Sequence, residues 1–160
     1  MSEAVEPRKS YAPAEPGLID EVERRLMLIG GQKQGKGEIL KDFPVEHVFT
    51  PGLYSRIITM PAGAMLTSGI HKTEHPFVVA RGRCSVYIDG QGFVLLEAPH
   101  MGITMPGTRR FLIIHEETVW ITFHPTTETD LVKIEEALLE EHENLLLEEP
   151  KEIPRVEAGA

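Results

Sequence analysis

Residues 69–90, GIHKTEHPFVVARGRCSVYIDG, place two histidines four positions apart, just ahead of two apolar runs. Both runs are rich in β-branched and aromatic residues, which favour strands. Asp89-Gly90 closes the second run and predicts a hairpin turn, and residues 80–83, Ala-Arg-Gly-Arg, predict another between the runs. The stretch therefore predicts β-strands with a cluster of imidazoles beside them.

The same strand pattern extends across the centre of the chain. Short segments rich in Val, Ile, Phe, Tyr and Thr, each closed by Gly, Pro or Asp-Gly, run from Phe49 to His124. Strands this short and evenly spaced are typical of a closed barrel or sandwich. We therefore predict an all-β domain over residues 39–127.

The two flanking regions differ from this centre. Residues 1–38 comprise an arm rich in Pro, Glu and Ala, a short amphipathic helix at 18–29, and a Gly-rich loop. The arm has little to bury on itself, so we expect it to contact another chain. Residues 128–160 are predicted to form an acidic amphipathic helix and tail. This helix would start after a capping box of Thr127 with Asp130.

The predicted C-terminal helix has an apolar stripe that must be covered, either by the barrel or by another chain. The stripe consists of Leu131, Ile134, Leu138 and Leu145.

Charge and composition exclude several classes of protein. The net charge is −9, and the segment 128–157 alone holds eleven acidic and three basic residues, which argues against nucleic-acid binding. The sequence has no apolar run of membrane-spanning length and no apolar secretory segment. We therefore expect neither membrane association nor secretion by a signal peptide. The single cysteine, Cys84, excludes an internal disulfide.

The spacing of the central segment resembles the first motif of the cupin superfamily, which is Gly, five residues, His-x-His, three residues, Glu, six residues, Gly. Gly63 and Gly82 occupy the two glycine positions, and His71 stands at the second histidine. Gly69 replaces the first histidine, and His75 replaces the glutamate. The spacing is complete, while two of the three ligand positions are altered.

The second cupin motif is Gly, five residues, Pro-x-Gly, two residues, His, three residues, Asn. Gly107 is retained, whereas Pro99, Met105, Arg110 and Ile114 replace the other residues. The resemblance implies a cupin jelly-roll β-barrel with flanking N-terminal and C-terminal helices. It also implies that His71, His75 and Arg110 point into one cavity.

More narrowly, the chain resembles small cupin-like proteins of tailed bacteriophages and prophages. The segments FTPGLYSR, IHKTEHPFVV, GITMPGTRR and IHEETVW carry this resemblance, which spans residues 49–127. It implies a virion component, or a protein of the host bacterial cytoplasm. The partners would be further copies of this chain, as a homo-oligomer, and other phage structural proteins.

The altered ligand set bears on metal binding. His71 and His75 are credible ligands for Fe, Mn, Ni or Zn, and a third ligand would come from His115, His124 or Glu74. Arg110 is a permanent cation that would repel a metal and attract an anion. If Arg110 points inward, strand alternation directs His115 outward, and His124 falls near the rim. We therefore expect no cofactor, with a divalent metal as the alternative.

Three functions remain open on these residues. A non-catalytic structural or assembly component of a phage particle, oligomerising through its terminal arms, agrees with the altered ligands. A sensor binding a small anion through Arg110 is the second, and a metal-dependent oxygenase or isomerase using His71 and His75 is the third.

Deletion of residues 1–17 tests the structural hypothesis. If the arm serves only assembly, the truncated protein should keep its melting temperature but lose higher-order association, because the barrel core is left intact. Thermal unfolding and analytical ultracentrifugation measure the two effects. Unchanged association of the truncated protein would count against an assembly role for the arm.

Overall fold

A computed structural model describes residues 17–28, 32–33 and 43–140. Two helices flank eight strands in this part of the chain. In chain order they are α1 Leu18–Leu28, β1 Gln32–Lys33, β2 Val45–Thr50, β3 Leu53–Met60, β4 Met65–Thr67, β5 His75–Ile88, β6 Gly92–Glu97, β7 His100–Thr104, β8 Arg110–Pro125 and α2 Leu131–Leu138. The predicted all-β barrel with an N-terminal and a C-terminal helix is confirmed.

The strand β8 holds the sheet together. It pairs antiparallel with β3, β4 and β5, while β6 and β7 add to β5, and β2 adds to β3. The short strand β1 pairs parallel with β4. Because β8 has three partners, it positions every other strand directly or through one neighbour.

Alternation along β8 sets the core. Leu112, Ile114 and Trp120 are buried, whereas His115 is exposed. These residues join a cluster from the other strands that includes Val79, Cys84 and Val86. The outward direction expected for His115 is therefore confirmed, and Cys84 is a core residue.

The helix α1 covers one side of the barrel. Ile19 is buried in a small cluster with Tyr87 and Phe111. Arg109, which is also buried, donates to Asp20 and lies 2.7 Å from each of the Asp20 and Glu23 carboxylates. A buried arginine paired with two carboxylates fixes the helix against the start of β8, which begins at the next residue.

The helix α2 begins and ends differently from the prediction. Its N-cap is Asp130, whose carboxylate accepts from the backbone N–H groups of Val132 and Lys133, so Thr127 is not the cap. Because the Asp130 side chain accepts hydrogen bonds from the first free N–H groups of the helix, the helix begins three residues later than predicted. The helix ends at Leu138, and Leu145 of the predicted stripe lies outside the described residues.

The barrel itself covers α2. The backbone N–H of Lys72 donates to Leu138 O at 2.8 Å, and that of Glu140 donates to Ile70 O at 2.9 Å. Ile134 is buried. The chain's own barrel therefore covers part of the apolar stripe: Ile134 is buried and Leu138 is half-buried, whereas Leu131 stays 41% exposed.

Several sequence-based predictions fall outside the described residues. They concern the arm, most of the Gly-rich loop, and the tail beyond residue 140. The division into 1–38, 39–127 and 128–160 remains a prediction. Within the described ranges, no helix is long and apolar enough to cross a membrane.

The turn predicted at residues 80–83 is wrong. The strand β5 continues through Gly82, and its pairing with β8 is irregular between Val79 and Cys84. Gly82 has φ +88°, and a Cβ built there would lie 2.2 Å from Glu117 O. Glycine serves here as a bulge that lets two backbones approach, rather than as the end of a strand. The turn predicted at Asp89-Gly90 is confirmed, since β5 and β6 pair across it.

Substitution of Gly82 tests this close approach. Gly82→Ala should lower the free energy of unfolding by about 3 kcal/mol or more, from left-handed strain together with steric overlap. Gly90→Ala is the matched control, because Gly90 also has positive φ but has nothing within 4 Å of its Cβ position. Urea unfolding should show only about 1 kcal/mol for the control. Equal losses in the two variants would contradict the close approach.

Candidate functional site

The barrel encloses a cavity of about 560 Å³, with α2 forming one wall. Most of its lining is apolar, including Ile58, Leu66, Leu112 and Trp120. The polar residues of the lining are His47, Tyr54, Arg56, Ser68, His71, His75, Arg110, Thr122, His124 and Glu135. The cavity thus combines apolar walls with ten polar residues, a mixture that can hold a small molecule.

The three residues predicted to converge all line this cavity. His71 lies in the loop after β4, where Thr108 O and the Gly107 N–H hold its backbone. His75 is the first residue of β5, and Arg110 is the first of β8. The two cupin-like segments therefore meet at one place, as their spacing implies.

The two further metal-ligand candidates separate. His115 is exposed and lies 2.6 Å from Ser85 Oγ on the outer surface. His124 is buried and lines the cavity, so its expected place at the rim is wrong. The curvature of β8, which strand alternation does not reveal, brings its two ends to the same chamber.

Aromatic rings form a row along the cavity wall. The ring centroids of His71 and His75 lie 5.0 Å apart, those of His75 and His124 lie 4.3 Å apart, and those of His124 and Tyr54 lie 5.7 Å apart. His47 ends the row, with its Nδ1 2.7 Å from Tyr54 Oη. His47 is itself exposed, and sequence reasoning missed both His47 and Tyr54 as lining residues.

Burial keeps the inner histidines neutral. Desolvation, with smaller contributions from neighbouring positive groups, lowers the pKa of His71 to about 3 and that of His124 to about 3. Burial also lowers the pKa of His75, more than the hydrogen bond to Thr73 O raises it. Neutral imidazoles offer one donor and one acceptor each.

Arg110 is the central cation of the cavity, with only 5% of its surface exposed. Its Nη2 donates to Thr104 Oγ1 at 3.0 Å, and its guanidinium lies 5.2 Å from the Phe77 ring centroid and 5.7 Å from that of Trp120. Burial lowers its pKa to about 10, so it stays charged at neutral pH. Among the described residues it has no carboxylate partner.

Arg56 and Glu135 add one charge of each sign to the lining. Burial lowers the pKa of Arg56, while the negative charge of Glu135 acts to raise it. Sequence reasoning missed both residues. Arg56 could have been found, because it shares one face of β3 with Tyr54 and Ile58. With neutral histidines, the described lining carries one net positive charge, which comes from Arg110.

The donor set does not fit a metal. Among residues 17–28, 32–33 and 43–140, no group of three or more His, Cys, Asp or Glu side chains is arranged to hold a metal ion. The fixed positive charge of Arg110, which lines the same cavity, also opposes a second cation beside His71 and His75.

Gly69, at the position of the first cupin histidine, explains how α2 reaches the cavity. A Cβ at residue 69 would lie 3.2 Å from Leu139 Cδ2, and Leu139 also forms a bridge with His71. A histidine at this position would occupy the space that Leu139 fills. The barrel has the cupin jelly-roll fold. Within that fold, the two motif segments line one cavity, but Gly69, His75 and Arg110 stand where the cupin motifs have other residues.

Comparisons with solved structures found proteins of low sequence identity, among them cupin proteins. No protein-family model and no curated protein matches the sequence. The cupin domain of Cnp3 from Schizosaccharomyces pombe is 19% identical, with a TM-score of 0.44 over 56% of this chain and 65% of that one. The EutQ protein of Clostridium difficile is 15% identical, with a TM-score of 0.45 over 59% and 76% of the two chains. A cupin-2 domain protein from Shewanella frigidimarina is 14% identical, with a TM-score of 0.42 over 56% and 84%.

The buried histidines predict a pH-dependent stability. Below about pH 6.5 the unfolded chain binds protons on His71 and His124 that the folded chain does not bind, so the free energy of unfolding should fall as the pH drops. The limiting slope is about 1.4 kcal/mol per pH unit for each histidine. Urea unfolding between pH 7 and pH 5 measures it.

His124→Phe should flatten this slope, because it removes one buried group that must stay neutral in the folded chain. His115→Phe makes the same ring change at an exposed position and is the control for the substitution itself. A parent slope that survives in His124→Phe would contradict a buried neutral His124.

Proposed function

We propose that this chain is a non-catalytic, small-molecule-binding cupin whose ligand carries a carboxylate or similar anionic group, held by Arg110. The observation that carries the proposal is a guanidinium that is 5% exposed and has no carboxylate partner among the described residues. Its only hydrogen-bond acceptor there is Thr104 Oγ1.

The energetics of burial support a ligand at this position. An arginine has five N–H donors and cannot lose its charge in a protein, so leaving it buried and unpaired is costly. Arg109, its neighbour in sequence, is buried with two carboxylates. Arg110 differs because its charge faces a cavity, where an incoming carboxylate can accept two parallel hydrogen bonds.

The rings beneath Arg110 support a fixed orientation of this group. Phe77 and Trp120 are stacked, with ring centroids 4.5 Å apart, and the guanidinium lies over both. Cation–π contact restrains the planar guanidinium without neutralising its charge. The remaining apolar walls favour a ligand with a hydrocarbon body attached to its anionic end.

A structural or assembly role in a phage particle is the second candidate, and it rests on the resemblance across residues 49–127. An observation that favours contact with another chain is the edge strand β7, where Met101 and Ile103 are 64% and 60% exposed. Exposed apolar side chains on an edge strand are typical of an interface. This role is compatible with ligand binding, and it would place the protein in the virion rather than only in the host cytoplasm.

A metal-dependent enzyme gains no support from the donor set.

Octanoate and octanamide test the proposal, because they match in shape and differ in charge. Octanoate should bind the parent protein more tightly than octanamide does, and Arg110→Gln should remove that preference. The loss should be about 1.5–3 kcal/mol, the range for hydrogen bonds to charged groups. Isothermal titration calorimetry measures both ligands.

Arg81→Gln is the matched control, because Arg81 is an exposed arginine paired with Glu117 on the outer surface. It should retain the preference for octanoate. Without ligand, Arg110→Gln should melt no lower than the parent protein, since it removes an unpaired buried charge. Equal affinity of the parent protein for both ligands would refute the proposal.

A further inference from the structure

Two buried imidazole nitrogens in the cavity wall lack partners. His75 Nε2 and His124 Nδ1 have no hydrogen bond with any described residue. The two side chains are 2% and 4% exposed, and their ring centroids are 4.3 Å apart. Buried polar atoms without a partner are uncommon, so a pair in one cavity indicates a group that completes them.

The polarity of His75 follows from its other nitrogen. His75 Nδ1 lies 2.9 Å from Thr73 O, and a carbonyl oxygen can only accept a hydrogen bond. The proton of the neutral ring is therefore on Nδ1, and Nε2 carries the lone pair. The missing partner of His75 must be a donor.

His124 can supply the complementary half. Its Nε2 lies 3.0 Å from Thr122 Oγ1, and a hydroxyl can donate to that nitrogen. The proton of His124 is then on Nδ1, which becomes a donor facing the cavity. An acceptor on His75 and a donor on His124 together match a hydroxyl group, which donates one hydrogen bond and accepts another.

We infer that the anionic ligand of this cavity also carries a hydroxyl group, which donates to His75 Nε2 and accepts from His124 Nδ1. This inference rests on the proposed function, and it narrows the ligand class from a carboxylate to a hydroxycarboxylate.

The strand register limits the distance between the two ligand groups. Thr104, which accepts from Arg110, is the direct cross-strand partner of His75 in the β5–β7 pair. Cross-strand neighbours have Cα atoms about 5 Å apart. The hydroxyl should therefore lie within a few bonds of the carboxylate, as in an α- or β-hydroxy acid.

Octanoate, α-hydroxyoctanoate and β-hydroxyoctanoate provide the test on protein treated with a chelator and dialysed. At least one hydroxy acid should bind the parent protein about ten-fold or more tightly than octanoate, because only the hydroxyl satisfies the buried nitrogens. His75→Phe should reduce this ratio to near one, because it removes the acceptor for the hydroxyl. His124→Phe should reduce the affinity ratio as well. If the His75→Phe protein does not fold, His124→Phe is the deciding variant.

His115→Phe is the control, because it removes an imidazole outside the cavity and should keep the ratio. Equal affinity of the parent protein for all three acids would overturn the inference, since a water molecule would then complete the two nitrogens. A preference that survives in His75→Phe, or that appears only after Zn²⁺ or Mn²⁺ is added, would also overturn it.

The same titrations separate this inference from the proposed function. Octanoate binding that depends on Arg110, without any gain from the hydroxyl, would overturn the hydroxycarboxylate and leave the anion site intact. Absence of binding by all three acids would overturn both.

Discussion

The close approach of two backbones at Gly82 is the constraint on which the rest of the barrel depends. At this point β5 and β8 pair irregularly, and the absence of a Cβ lets Glu117 O occupy the space beside Gly82. A bulge increases local twist and bends the strands. Fully extended, the distance from Arg110 to His124 along β8 would be about 46 Å at 3.3 Å per residue. Because the paired strands bend, both residues line one cavity of about 560 Å³.

The departures from the cupin motifs form a consistent set in space. Gly69 leaves room for Leu139, so the end of α2 packs against the barrel where a ligand histidine would stand. Arg110 takes the place of a later histidine and brings a fixed positive charge. The two remaining imidazoles of the motif segments are neutral and lie beside His124. Together these changes leave Arg110 as the buried cation of the cavity, and the proposed anion site rests on it.

Part of this arrangement was predictable from the sequence. The motif spacing placed His71, His75 and Arg110 in one cavity, and period-two alternation placed His115 outside it. These inferences succeed because they depend only on spacing within or between strands.

The remaining parts depend on contacts between distant segments. Alternation from Arg110 also directs His124 inward, but its place beside His75 follows from the pairing of β5 with β8. The contribution of Glu135 follows from the docking of α2. The reading of Gly82 as a turn failed for a related reason. Glycine marks both turns and bulges, and only the nearby Glu117 backbone distinguishes them.

A crystal structure of the chain grown with octanoate tests the central claim most directly. The account predicts the carboxylate within hydrogen-bonding distance of the Arg110 guanidinium, with the hydrocarbon chain between the apolar walls. A structure in which Arg110 instead pairs with a carboxylate of its own chain, and octanoate lies elsewhere or is absent, would contradict it.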